Sequence, residues 1–211
     1  MDIENQVKEV LTFFKGLTYN EVEKKIIGRI YILNEDYYEV EINFTDFPNS
    51  LPVVKELLTR IPIKADRHTY TDNGSLCFTT RANAEILLKT KIKTLKDFIN
   101  HILIPYLRNN SYYEIHNKYF SNEYSHGTLG VMESYKDILM INDNYKIARL
   151  ILDRIEGRNL KFKDLCYCNS NLPLKKCKNG KHEKAYRTFK LISSDTLTND
   201  LVKIIEFLKL D

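Results

Sequence analysis

Ile26-Ile-Gly-Arg-Ile-Tyr-Ile-Leu33 and Tyr37-Tyr-Glu-Val-Glu-Ile-Asn-Phe44, joined by Asn34-Glu35-Asp36, are the stretch that decides the fold. Both runs are rich in β-branched and aromatic residues, and the polar triplet between them has turn composition, so they predict a β-hairpin. In the second run Tyr38, Val40, Ile42 and Phe44 alternate with Glu39, Glu41 and Asn43. That period of two puts one face against a core and the other in water. Upstream, Val7, Val10, Leu11 and Phe14 recur at helical spacing and Gly16 stands at a helix end, which predicts an amphipathic helix over Ile3–Lys15 that covers the sheet. Downstream, Pro48 and Pro52 bracket a loop, and Val53–Leu58 reads as a third strand or short extended piece before Ile61-Pro62-Ile63.

The period then changes. Leu95, Phe98, Ile99, Ile102 and Leu103 predict a helix from about Thr94 that Pro105 interrupts or kinks, since proline lacks the N–H an inner turn needs. Val131–Ile155 holds a long helical pattern with a break at Asn142-Asp143-Asn144, and Leu197, Leu201, Ile204, Ile205 and Leu208 mark a last amphipathic helix. The Tyr-rich segment Tyr112–Gly130 reads as an ordered loop. Helices around an antiparallel sheet make the fold class α+β.

Composition fits a globular chain: 211 residues, 43% hydrophobic and 28% charged. No apolar run approaches membrane-spanning length, and Met1-Asp2-Ile3-Glu4-Asn5 lacks the basic-then-apolar pattern of a secretory leader, which predicts a cytoplasmic protein without membrane partners. Four cysteines, three of them clustered, suit metal binding or catalysis better than a disulfide framework. The net charge of +4 is uneven. Arg158–Arg187 holds nine Lys and Arg against Asp164 and Glu183, a net of +7 that leaves −3 for the remainder.

The isolated cysteine, Cys77, closes the stretch Arg67-His-Thr-Tyr-Thr-Asp-Asn-Gly-Ser-Leu-Cys-Phe78. Thr71, Asp72, Asn73 and Gly74 favour a tight turn. A cysteine just beyond such a turn can keep its sulfur accessible with main-chain N–H groups nearby, and its thiolate is the nucleophilic form. A small buried hydrophobe is the alternative reading of the same residue.

The order of helix, meander, proline link (Phe47-Pro48, Leu51-Pro52) and flap (His68, Gly74, Cys77) resembles the ubiquitin-conjugating enzymes. Tyr112-Tyr113-Glu114 and Glu123-Tyr124-Ser125-His126-Gly127 resemble bacterial members found in anti-phage cyclic-oligonucleotide signalling operons. The resemblance implies a ubiquitin-conjugating-like domain over 1–157 with Cys77 as acyl carrier and His68 as a brace for the flap. The family's His-Pro-Asn is here His68-Thr69-Tyr70, so Asn73 or a flap N–H takes the oxyanion role. It also implies a partner protein C-terminus, from a ubiquitin-like protein or a nucleotidyltransferase, and leaves open whether a separate activating enzyme is needed.

The strongest local motif is Cys166-Tyr-Cys168-Asn-Ser170, with Cys177 after eight residues and His182 after four more. Three sulfurs and an imidazole within 17 residues make the closed set that structural Zn²⁺ prefers, with no open position for catalysis. The Cys-x-Cys-x-Ser spacing resembles the zinc knuckle of the bacterial preprotein translocase ATPase, where the last ligand directly follows the third Cys; here that place is Lys178, and His182 is the fourth ligand by geometry. The segment 158–211 therefore reads as a zinc knuckle plus C-terminal helix. Three functions compete: a cysteine acyl transferase, an inactive binding module on the same fold, and a zinc-dependent nucleic-acid binder. The lack of aromatic residues interleaved with the basic run weighs against the last.

Overall fold

The computed structural model describes residues 2–120 and 123–209, a mixed α/β chain with one four-stranded antiparallel sheet. It divides into two compact units: residues 1–79 with 87–123, and residues 80–86 with 124–211. The predicted boundary at 157 thus falls inside the second unit rather than between the two.

In the first unit, α1 (Ile3–Phe13) precedes a meander of β1 (Leu17–Asn20), β2 (Lys25–Leu33), β3 (Asp36–Asn43) and β4 (Val53–Glu56), each strand antiparallel to the next. The predicted hairpin is β2–β3, and its alternation is obeyed: Tyr38, Val40 and Ile42 are buried while Glu39, Glu41 and Asn43 are partly exposed. Val7 and Val10 of α1 join the same core. Gln6, also buried, accepts the Leu95 N–H at 2.9 Å and so ties α1 to α3 (Leu95–Phe98). In the chain α3 is preceded by α2 (Arg81–Thr90), whose Ala82 and Ile86 belong to the second unit's core and whose Leu87 and Leu88 pack on the first's.

Helical structure does not stop at Pro105. A π-helical stretch, Ile99–Leu103, follows α3 and runs without a break into α4 (Ile104–His116), so Pro105 sits inside a continuous helical run just after a π turn, the kind of local irregularity that accommodates a missing N–H. Tyr112 and Tyr113 therefore lie in a helix, not in the predicted loop.

The second unit contains α5 (Gly127–Leu139), α6 (Asn144–Ile155), α7 (Lys181–Phe189) and α8 (Ser194–Leu208). The predicted break between α5 and α6 is present, with Asp143 capping α6 through the Lys146 N–H at 3.0 Å. Glu85 accepts from the Ser193 N–H at 2.6 Å and from its hydroxyl at 2.7 Å, and also from the Thr196 hydroxyl, which fixes the start of α8. Among the described residues no helix is long and apolar enough to cross a membrane.

Candidate functional site

Cys166, Cys168, Cys177 and His182 come together in the second unit, their ligand atoms all within 4.8 Å of one another, and could hold a metal ion. A short antiparallel pairing creates the arrangement: Leu174 N–H meets Asp164 O at 2.8 Å, Leu165 pairs with Pro173, and Cys166 N–H meets Leu172 O at 2.9 Å. Asn169, Asn171, Lys178 and Asn179 take left-handed backbone, which turns the chain tightly enough for sulfurs two and eleven positions apart to converge. His182 arrives on the first turn of α7.

Cys166 Sγ and Cys177 Sγ lie 3.1 and 3.3 Å from His182 Nδ1, and Cys168 Sγ lies 3.4 Å from Cys177 Sγ. His182 is fully buried. The Tyr167 ring stacks on the imidazole at 5.0 Å and its hydroxyl donates to Leu139 O at 2.8 Å, which fixes the ring plane. Ser170 Oγ, 3.2 Å from Cys177 Sγ, is an outer neighbour of the set. Without metal, burial pushes the Cys166 thiol up to about 12. Burial also opposes ionisation of Cys168, but hydrogen bonds from Ser170 and the neighbouring cysteines outweigh it and bring that thiol down to about 7. Sulfurs packed this closely gain by sharing a cation in place of protons.

Cys77 stands apart, in the first unit. The flap around it is a small hairpin. Thr69 pairs with Leu76, Tyr70 N–H meets Ser75 O at 2.8 Å, and Cys77 N–H meets His68 O at 2.7 Å. Asn73 lies in the turn, exposed, with Oδ1 accepting the Ser75 N–H at 2.9 Å, so its NH₂ is the part that could donate elsewhere. His68 is buried in left-handed backbone, its ring 5.3 Å from that of Tyr119. Tyr106 of α4 donates to His68 O at 2.8 Å and to Arg67 O at 3.1 Å, clamping the base of the flap to the helix.

Cys77 is partly exposed and free of any disulfide. Burial pushes its thiol above the ordinary value, a hydrogen bond from Tyr70 pulls it back, and the nearby Glu123 carboxylate pushes it up. Glu123 is itself raised by burial, against a hydrogen bond from Asn109 that lowers it. Sequence reasoning gave Tyr70, Asn109 and Glu123 no role at this site. Only the position of Tyr70 in the flap could have signalled the first. The His116 ring, at the end of α4, lies 4.0 Å from that of Tyr112 and tilted to it.

No family model, no curated protein and no solved structure matches the chain.

Proposed function

We propose that the chain is a ubiquitin-conjugating-like acyl carrier in which Cys77 takes the C-terminus of a partner protein as a thioester and passes it to an amine, with the second unit held by a structural zinc. The observation that carries this reading is the place of Cys77. It is a partly exposed thiol at the end of a clamped flap, and the flap follows a helix and a four-stranded meander in the order of that family. The Cys77 thiolate attacks the activated acyl carbonyl, a C–S bond forms and the donor's leaving group departs. The acceptor nitrogen then attacks, the C–S bond breaks, and the amine proton is lost as thiolate returns. Tyr70 lowers the cost of the thiolate, Asn73 NH₂ or a flap N–H meets the oxyanion, and His68 braces the flap through its carbonyl. The bacterial resemblance makes a ubiquitin-like protein or a nucleotidyltransferase tail the donor, with an activating enzyme upstream, in cytoplasmic anti-phage defence.

Zinc suits the four ligands. With Zn–S near 2.3 Å and Zn–N near 2.0 Å, a tetrahedron has edges of roughly 3.5–3.8 Å. Three of the six separations are 3.1–3.4 Å and all lie within 4.8 Å, a set that small shifts of the side chains bring onto those edges. A second reading, an inactive binding module, draws on the raised Cys77 thiol.

The test is incubation with a ubiquitin-like protein bearing a C-terminal thioester, read by intact mass. A thiol-cleavable adduct is expected, lost in Cys77→Ala and kept in Cys166→Ala. An adduct that survives Cys77→Ala refutes the assignment, and an inert Cys77 with tight partner binding selects the module. Elemental analysis of unchelated protein should find about one zinc per chain; none would sink the knuckle.

A further inference from the structure

The +7 segment is laid out on the pairing that builds the metal set and on α7, and its arrangement is more specific than a solvated face. Lys161, Lys163, Lys175, Lys176, Lys181 and Lys184 are exposed, and none forms an ion pair among the described residues. Arg158, by contrast, is taken up by Asp153 and Glu156. Six cations without counter-charges make a field that favours a polyanion.

An aromatic ring stands inside that field. Phe162 is 49% exposed, lies between Lys161 and Lys163 in sequence, and sits across the pairing from Lys175, whose N–H meets Phe162 O at 3.1 Å. Arg187 Cζ lies 4.7 Å from the ring centroid and extends the stack. Leu165, 63% exposed, adds an apolar contact beside it. The objection that no aromatic residue interleaves with the basic run does not hold at Phe162. A folded core gains nothing from an exposed Phe among unpaired lysines, whereas a base gains a flat apolar partner and its phosphates gain the lysines.

We propose that this surface binds single-stranded nucleic acid, with Lys161, Lys163, Lys175 and Lys176 on backbone phosphates and Phe162 under a base. An acidic peptide would meet the lysines but offers Phe162 no planar face.

Fluorescence anisotropy of a labelled oligothymidylate of about fifteen nucleotides with the full metal-loaded chain tests this. Binding should be measurable at low salt. With four phosphates engaged, log affinity should fall against log salt with a slope of about −3. Phe162→Ala should weaken binding about tenfold, and Phe162→Tyr should restore it. The double change Lys175→Glu, Lys176→Glu should weaken it further and flatten the slope. Metal content and circular dichroism check that each variant is folded, and the Phe162 pair decides alone if the double variant fails. No binding at low salt, no effect of Phe162→Ala, or equal binding of an oligoglutamate of the same charge would overturn the proposal.

Discussion

Tyr70 changes the chemistry of Cys77 more than any other side chain in the flap, because it is the one group that favours the thiolate against burial and Glu123. Replacing it with Phe should raise the Cys77 thiol further. A raised thiol is protonated at neutral pH and becomes nucleophilic only as pH climbs, so the pH–rate profile for iodoacetamide at Cys77 should move to higher pH in Tyr70→Phe. An unchanged profile would remove Tyr70 from the site. Ser170 acts on the other sulfurs. Ser170→Ala deletes the neighbour of Cys177 without deleting a ligand, and zinc affinity measured by chelator competition should drop about tenfold. The four candidate metal ligands were legible because their spacing is local. Tyr70 was not, since its partnership with Cys77 arises from the pairing of residues 69 and 76, which no spacing rule encodes.

At the scale of elements, the hairpin and the helices with strong apolar stripes were legible, and the short or weakly patterned ones were not. β1 is only four residues, Leu17–Asn20, and α7 turns inward His182, Ala185, Tyr186 and Phe189 from an otherwise charged run. A close backbone approach governs the β1–β2 junction. Gly28 has φ +135°, and a Cβ there would sit 2.2 Å from Gly16 O, where Arg29 N–H also bonds at 2.8 Å. Gly28→Ala should therefore cost at least ~1–3 kcal/mol in chemical denaturation, and a loss within error would mean the strand ends part freely. The metal set fixes its own loop in the same way. Cys177→Ala or chelation should open trypsin sites between Lys161 and Lys181 while the first unit stays intact; an unchanged digest would show that packing alone holds the loop.

For the whole molecule, packing divides the chain elsewhere than at 157: α5 and α6 join the metal-bearing segment in one unit. No flexible linker marks the boundary, and α2 lends residues to both cores. The second core holds a buried acid whose effect is global. Asp200 is 4% exposed and burial raises its carboxyl, although Tyr135 donates to it at 3.0 Å. A folded pKa above the unfolded one means that the stabilisation present below the ordinary carboxylate range is lost as pH rises through the folded value. Asp200→Asn should flatten that part of the stability–pH curve; equal slopes in both proteins would show that Asp200 does not set it.

The proposed function divides the cysteines: three sulfurs for metal and one, Cys77, for acyl chemistry. Iodoacetamide labelling of the native full chain above neutral pH, mapped by peptide mass spectrometry, tests this directly. Cys77 alone should be modified, with Cys166, Cys168 and Cys177 protected until a chelator is added. Labelling of Cys168 as fast as Cys77 without chelator, or a Cys77 that stays unlabelled, would contradict it.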